Sequence, residues 1–542
     1  MDLSDIPCPQ AFSPVYRMSH FKFNLTIIAA LALFISVSYW RLATPGYITF
    51  SDSVRYADAA RSQNEGIGSR IHHSYFSSSD INTTNFKPSW EFIDSPATVT
   101  FISLAFKLLG ASDLTLFIAG SGLFILSALT IYLLGARVFS PSVGLVAAVL
   151  FTTNPFFLSY AVNCSSEILF TSEVLISVWL LYLSKPAKFL FILPAVLTLY
   201  TRPQGVIFIL SLIATGLLVW LIKAIKQPVR LVLLLCGLVI LGFFTVYQAT
   251  RFSIFSHSLF NLKHYGATLI PTDVSPGIYL RGEILPQANI SLKVFVTKLF
   301  YNTYNFAKNP DRIAPPAVFL FLIMALFITS HNFHWLALIT LGMFTLAASA
   351  TLPNARYIHP VVVLPFISMA AVLENMCTKF KIRYRFFLLA LLTLIITLPA
   401  FGHIFLDYRF RRVTLNLGRP PVYKVISDIL AQNISQGKLT ITNLDAWAAW
   451  YHGLTTMWFP LSPNRLIPPP GKPNNIDYIV ITNYLERDSS FALGEWEEVV
   501  YAPYNIQNQF LTDNYRVLDT FIINPEQTYE NQRILGTILV KK

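Results

Sequence analysis

Largely apolar runs of about 17–22 residues recur along this 542-residue chain, each long enough to cross a hydrocarbon core of roughly 30 Å as a helix rising 1.5 Å per residue. The full runs begin near residues 25, 114, 142, 165, 187, 204, 231, 315, 333, 357 and 385. They predict a polytopic α-helical membrane protein with about 11 transmembrane helices. Composition agrees: 13% of residues are charged, about half the roughly 25% of a soluble domain, and mean hydropathy is +0.53. Soluble, fibrous, disordered and disulfide-scaffold classes are excluded. The net charge of +12 belongs with basic cytoplasmic loops rather than with a nucleic-acid partner. Cys8, Cys164, Cys236 and Cys377 lie far apart and have no metal-ligand spacing.

Positive charge sets the orientation, because short loops rich in Lys and Arg stay in the cytoplasm. The stretch from Pro96 to Leu109 is short and carries Lys107, so it reads either as a twelfth span or as an interfacial helix. Leaving it out of the membrane puts Arg137, Lys185, Lys188, Lys223, Lys226, Arg230, Lys379, Lys381, Arg383 and Arg385 on one side with Arg17 and Lys22. Only Arg202 and Arg356 then fall in short outer loops. Residues 96–109 are therefore expected at the interface, with the N-terminus cytoplasmic and the C-terminus external. Arg409, Arg411 and Arg412 fall on the external side, where the rule weakens beside a translocated domain. The first span reads as an uncleaved signal-anchor.

This topology leaves 44–113, 251–314 and the chain after about residue 407 outside. Residues 1–406 form the expected membrane domain and 407–542 an extracytoplasmic α/β domain. In the latter, Pro421 to Gln432 has helical spacing, and Leu439 to Thr442, Tyr478 to Thr482 and Val517 to Ile523 read as strands.

Several polar residues gather at the external ends of the spans. On a helix opening the first loop, Asp52, Arg55, Tyr56 and Ala59 share one face. The plain role for Asp52 is to cap that helix, and for Glu167 to stabilise the start of its own. Glu173 lies roughly 9 Å deeper along the same helix, where a carboxyl is costly unless it faces the bundle or water. Arg202 and Arg356 occupy short outer turns; they fit headgroup snorkelling or a pair of cations converging on a lipid-linked phosphate. His72 and His73 read as loop histidines, and Trp447 and Trp450 as domain core.

The order of these features resembles a known family. It runs Asp52-x-x-x-Tyr56-x-x-x-Ala60; Ser95-Pro96 and an amphipathic helix ending in Phe106-Lys107-Leu108-Leu109-Gly110; Arg137-Val138-Phe139; Ser166-Glu167-Ile168-Leu169-Phe170; Thr201-Arg202-Pro203; and Ala355-Arg356-Tyr357. Over residues 25 to 375 the set is similar to the GT-C glycosyltransferases of the protein O-mannosyltransferase and aminoarabinose-transferase type. That resemblance implies an inverting sugar transfer from a polyprenyl-phosphate donor at the external membrane face. It makes Asp52 the catalytic carboxylate, with Glu167 at donor or acceptor hydroxyls and Arg55, Tyr56, Arg202, Arg356 and Tyr357 binding substrate. The family's Asp-Glu is Asp52-Ser53 here, and its Lys-Pro is Ser95-Pro96, with Lys87-Pro88 further upstream; this shifts phosphate binding toward Arg202 and Arg356. Asp445-Ala446-Trp447 does not match the Trp-Trp-Asp motif of oligosaccharyltransferases.

The competing classes are a secondary transporter or flippase of lipid-linked sugars, which would need midplane charges in repeated broken helices, and a non-catalytic relative of the same fold. No cofactor is implied, and a divalent cation is not indicated by any carboxylate cluster. The expected partners are the lipid donor, the bilayer and an acceptor glycan, lipid or protein. The plasma membrane is the expected location, with the endoplasmic reticulum membrane as the alternative.

Overall fold

A computed structural model of the chain describes residues 14–76, 89–92, 94–184, 186–224, 292–328, 331–350, 353–379, 384–405, 418–488 and 491–542. Its helices are α1 (Pro14–Ala43), α2 (Ser51–Asn64), α3 (Pro96–Leu109), α4 (Asp113–Val138), α5 (Pro141–Thr152), α6 (Pro155–Val162) and α7 (Ser166–Leu181). Then follow α8 (Ile192–Thr201), α9 (Gly205–Ala224), α10 (Leu292–Lys308), α11 (Pro316–Ile328), α12 (Asn332–Ala350), α13 (His359–Lys379) and α14 (Arg385–Phe405). Ten of the eleven predicted runs fall on these helices. The run from residue 231, loop residues 251–291, Lys87-Pro88 and the arginines Arg409, Arg411 and Arg412 lie outside the described residues.

Among the described residues, four helices are long and apolar enough to cross a membrane: Phe21–Ala43 of α1, α4, α12 and α13. The run near 142 is not one straight span. It is broken into α5 and α6, bent by 65°. The break follows from Asn154-Pro155: proline disfavours a helical residue before it, Asn154 is extended, and its side chain instead caps α6 by accepting from Phe156 N. Close helix contact here depends on missing side chains, since a Cβ on Gly135 would sit 2.7 Å from the Gly144 Cα. α13 lies at the centre of the bundle, with 78% of its apolar window buried.

Helix α3, at 14 residues, is shorter than the roughly 20 a span needs. It lays Val99, Ile102 and Phe106 against the first loop, while Leu108 is 74% exposed, which is the two-sided character of a helix at the interface.

Outside the bundle stand the strands β1 (Arg70–Ile71), β2 (His73–Ser74), β3 (Trp90–Glu91), β4 (Leu439–Thr442), β5 (Thr456–Trp458), β6 (Ile476–Thr482), β7 (Tyr515–Ile523) and β8 (Ile534–Lys541). Six form one sheet in the order β2-β5-β4-β6-β8-β7. β2, β5, β4 and β6 run parallel, and β8 is antiparallel to both β6 and β7. The first loop thus supplies the edge strand β2, and His73 is part of a sheet rather than a free loop.

One sheet face buries Phe459, Trp496 and Leu539. The other shares a single core with the first loop, where Ile48, Val54, Ile102 and Phe106 pack with Trp447, Trp450 and Ile538. Trp450 stacks on Phe106 at 5.7 Å, and its indole N–H donates to Asp113 Oδ1 at 2.8 Å. The six-stranded sheet is therefore clamped onto the loop that opens with Asp52.

Candidate active site

The site begins with a pinned strand of backbone. Asn163 Oδ1 accepts from Thr49 N (2.6 Å) and Phe50 N (3.1 Å), fixing the chain where it enters α2. Asn163 can lie this close because the turn before α7 packs on Gly120, where a Cβ would fall 2.0 Å from Ala161 O. The helix-capping position is then Phe50, which has no capping side chain. Asp52 does not cap α2. Its Oδ2 instead meets Arg356 Nη1 at 2.7 Å.

Arg356 reaches this point from the turn before α13. Asn354 caps that turn by accepting from Arg356 N at 3.0 Å. The Arg356 guanidinium lies 5.0 Å from the Phe50 ring and also pairs through Nε with Glu167 Oε1. Arg202, at the end of α8, approaches the same oxygen at 2.5 Å. It donates as well to Ser166 Oγ at 2.9 Å and lies over the Tyr357 ring at 5.5 Å. Tyr56 OH is 3.3 Å from Ser166 Oγ.

Asp52, Tyr56, Glu167, Arg202, Arg356 and Tyr357 therefore converge from four separate parts of the chain. Burial pushes the Tyr56 phenol up to about 12, so it stays protonated. Glu167 is fully enclosed while the Asp52 side chain is 35% exposed. Of the two carboxylates, Asp52 alone is open to an incoming molecule. Glu167 acts on the two arginines.

Arg55 is not brought into this cluster. It turns toward the six-stranded sheet, where Nη2 meets Asp445 Oδ1 at 2.9 Å and the guanidinium also donates to Tyr75 OH. Glu173 accepts from Thr201 Oγ1 at 2.7 Å, beside the residue that precedes Arg202.

Other contributors carry no sequence signal of their own. Tyr160 OH is 2.6 Å from His359 Nδ1, whose Nε2 is 2.8 Å from Arg312 O, locking the start of α13 below Arg356. Ser166 and Asn163 sit within the Glu167 motif, but nothing in their spacing marks their partners. Among the described residues, no group of three or more His, Cys, Asp or Glu side chains converges as a metal site. Both site carboxylates are already paired with arginine, a donor set suited to an anion rather than to a divalent cation.

The fold is similar to solved structures of two membrane enzymes. One is ArnT from Cupriavidus metallidurans bound to undecaprenyl phosphate, at 13% identity and a TM-score of 0.51, covering 95% of this chain and 97% of that one. Another is the archaeal oligosaccharyltransferase AglB from Archaeoglobus fulgidus, in complex with an inhibitory peptide and a dolichol-phosphate, at 12% identity and 0.51, covering 94% and 74%. No protein-family model and no curated protein matches the sequence.

Proposed function

We propose that this chain, which has the fold of the GT-C membrane glycosyltransferases, moves a sugar from a polyprenyl-phosphate donor to an acceptor hydroxyl. Transfer occurs at the external membrane face, with inversion. The observation that carries this reading is the linked row Asp52, Arg356, Glu167, Arg202. The lipid phosphates in the two similar structures support the same class of carrier here.

Fully charged, the four side chains cancel. A donor phosphodiester adds one negative charge, held by Arg202 and Arg356, and draws Arg356 away from Asp52. The freed carboxylate accepts the acceptor's proton as its oxygen attacks the anomeric carbon. The bond from that carbon to the phosphate oxygen breaks, and the departing lipid phosphate gains a second negative charge. Asp52 becomes neutral in the same step, so the total charge of the site does not change, and the arginines stand where negative charge develops. A single displacement inverts the sugar. Tyr56 and Tyr357 line the cleft beside the arginines, and Glu167 holds both guanidiniums in place. Arg55 is a supporting residue rather than a substrate contact.

The test is release of polyprenyl phosphate by the purified protein, in lipid, from a panel of polyprenyl-phosphate sugars with hydroxyl acceptors. Acceptor-dependent release with inverted product supports the reading. A folded protein that binds polyprenyl phosphate but releases it from no donor contradicts it.

A further inference from the structure

Asp445 stands on the six-stranded sheet, nearly 400 residues from Asp52 in sequence, yet it pairs with Arg55 on the helix that carries Asp52. Asp445 follows β4 at the carboxyl end of its parallel strands. The loop is held by Asn443, which donates from Nδ2 to Thr482 O (2.6 Å) and accepts from Thr482 N (3.1 Å). Asp445 is left-handed, with φ of 60°, and its Oδ1 accepts from Ala446 N at 2.8 Å. That same oxygen meets Arg55 Nη2 at 2.9 Å and lies 3.1 Å from His73 Nε2. His73 Nδ1 in turn lies 2.8 Å from Thr456 Oγ1. One buried carboxylate thus ties together α2, the edge strand of the first loop and the external domain.

Docking alone does not account for this ion pair. Apolar side chains of similar volume stabilise a buried contact at least as well as a buried salt bridge, and the surrounding core is apolar. The charge has a use at Asp52, one helical turn from Arg55. A guanidinium left without its carboxylate beside a general base favours the ionised form and weakens the base.

We propose that Asp445 is a positioning residue for the transfer reaction: from the external domain it holds Arg55, and with it the helix carrying Asp52, and it cancels the Arg55 charge so that Asp52 remains an effective base. The proposal rests on the sugar-transfer reading. The charged and titratable groups around Asp52 are Arg55 and Tyr56 on its own helix, Arg356 and Tyr357 before α13, Glu167 on α7, Arg202 after α8 and Tyr75 from the first loop. Around Asp445 they are Arg55, His73 and Tyr75, with Asp58 acting through His73. Burial alone would raise the Asp445 carboxyl; Arg55 and His73 outweigh it and hold it well below the usual carboxylate range.

The experiment compares the pH dependence of turnover in the full-length wild type, D445N, R55Q and the double variant. In D445N the acidic limb moves down by about one pH unit and kcat falls about tenfold, with KM for the donor little changed. Adding R55Q removes the uncancelled cation and returns the limb toward its wild-type position. A D445N profile superimposed on wild type, or a double variant no better than D445N, overturns the proposal. If the wild type turns over no donor, the sugar-transfer reading fails separately. Hydrogen exchange across residues 51–64 then decides the holding role: faster exchange in D445N supports it, and unchanged exchange overturns it.

Discussion

Replacing Glu167 by Gln keeps the side chain's shape and removes the charge that two arginines share. The carboxylate is fully buried, and its Oε1 lies 2.5 Å from Arg202 Nη1 while also accepting from Arg356. At a charge separation near 4 Å and an effective dielectric of about 20, each pair is worth roughly 4 kcal/mol. Desolvation of the carboxylate, several kcal/mol, offsets part of this, so breaking the arrangement costs about 3–5 kcal/mol net. In a chain of this length that lowers the melting temperature by roughly 5 °C.

The substitution has an opposite effect on ligand. With Glu167 neutral, Arg202 and Arg356 are left short of negative charge, and a lipid phosphate supplies it. Polyprenyl phosphate should bind about tenfold more tightly, or about 1.4 kcal/mol, and saturating ligand should restore more stability to the variant than it adds to the wild type. Tryptophan-fluorescence melting with and without polyprenyl phosphate reads both effects. A variant that melts with the wild type, or one that the ligand stabilises no more than the wild type, refutes the reasoning.

Two further outcomes follow from the clamp between the first loop and the six-stranded sheet. Trp450→Ala removes the Phe106 stack and the Asp113 hydrogen bond and should cost about 3–5 kcal/mol; earlier proteolysis of the external domain checks this, with Trp450→Phe recovering the stack alone. The clamp should also respond to acid in two stages. Burial raises the Asp58 carboxyl, but His72 and Arg61 outweigh it and hold it below the usual value, and Asp445 is held lower still by Arg55 and His73. Carboxylates depressed in the folded state contribute stability that is fully present above their unfolded pKa of about 3.9 and is lost as pH falls through the folded values. The carboxylate contribution to docking should therefore hold from pH 7 to 5 and be lost only below about 4, whereas His73, whose pKa burial lowers, withdraws its contribution as pH falls below its unfolded value of about 6.5. Docking followed by tryptophan fluorescence should weaken in these two stages, and a single loss confined to one of them would contradict this assignment.

What could be read from the sequence and what could not divide along physical lines. Hydrophobic run length locates most of the helices, because the bilayer fixes the length that a span needs, and alternation marks residues 439–442, 478–482 and 517–523, which lie within β4, β6 and β7. Run length is blind to a break such as Asn154-Pro155, which leaves hydropathy unchanged while bending the helix. The charges that meet at Glu167 are legible as residues at the outer ends of spans, since ionised groups there need a reason to be present. Their pairing is not legible, because Asp52, Glu167, Arg202 and Arg356 are brought together only by tertiary packing. Arg55 shows the same limit. Helical spacing places it on a face with Asp52, but the external domain, through Asp445, decides where its side chain turns. β2 is two residues long, too short to leave an alternating pattern, so its membership of the sheet has no sequence trace.

In the proposed reaction Asp52 takes the acceptor's proton. Asp52→Asn keeps the size of the side chain and removes the base, leaving Arg202 and Arg356 to bind the donor phosphate. Measured against wild type in purified, lipid-embedded protein, the variant should retain polyprenyl-phosphate binding and lose sugar transfer by roughly a hundredfold or more. Transfer by Asp52→Asn at the wild-type rate would contradict the account and place the base elsewhere.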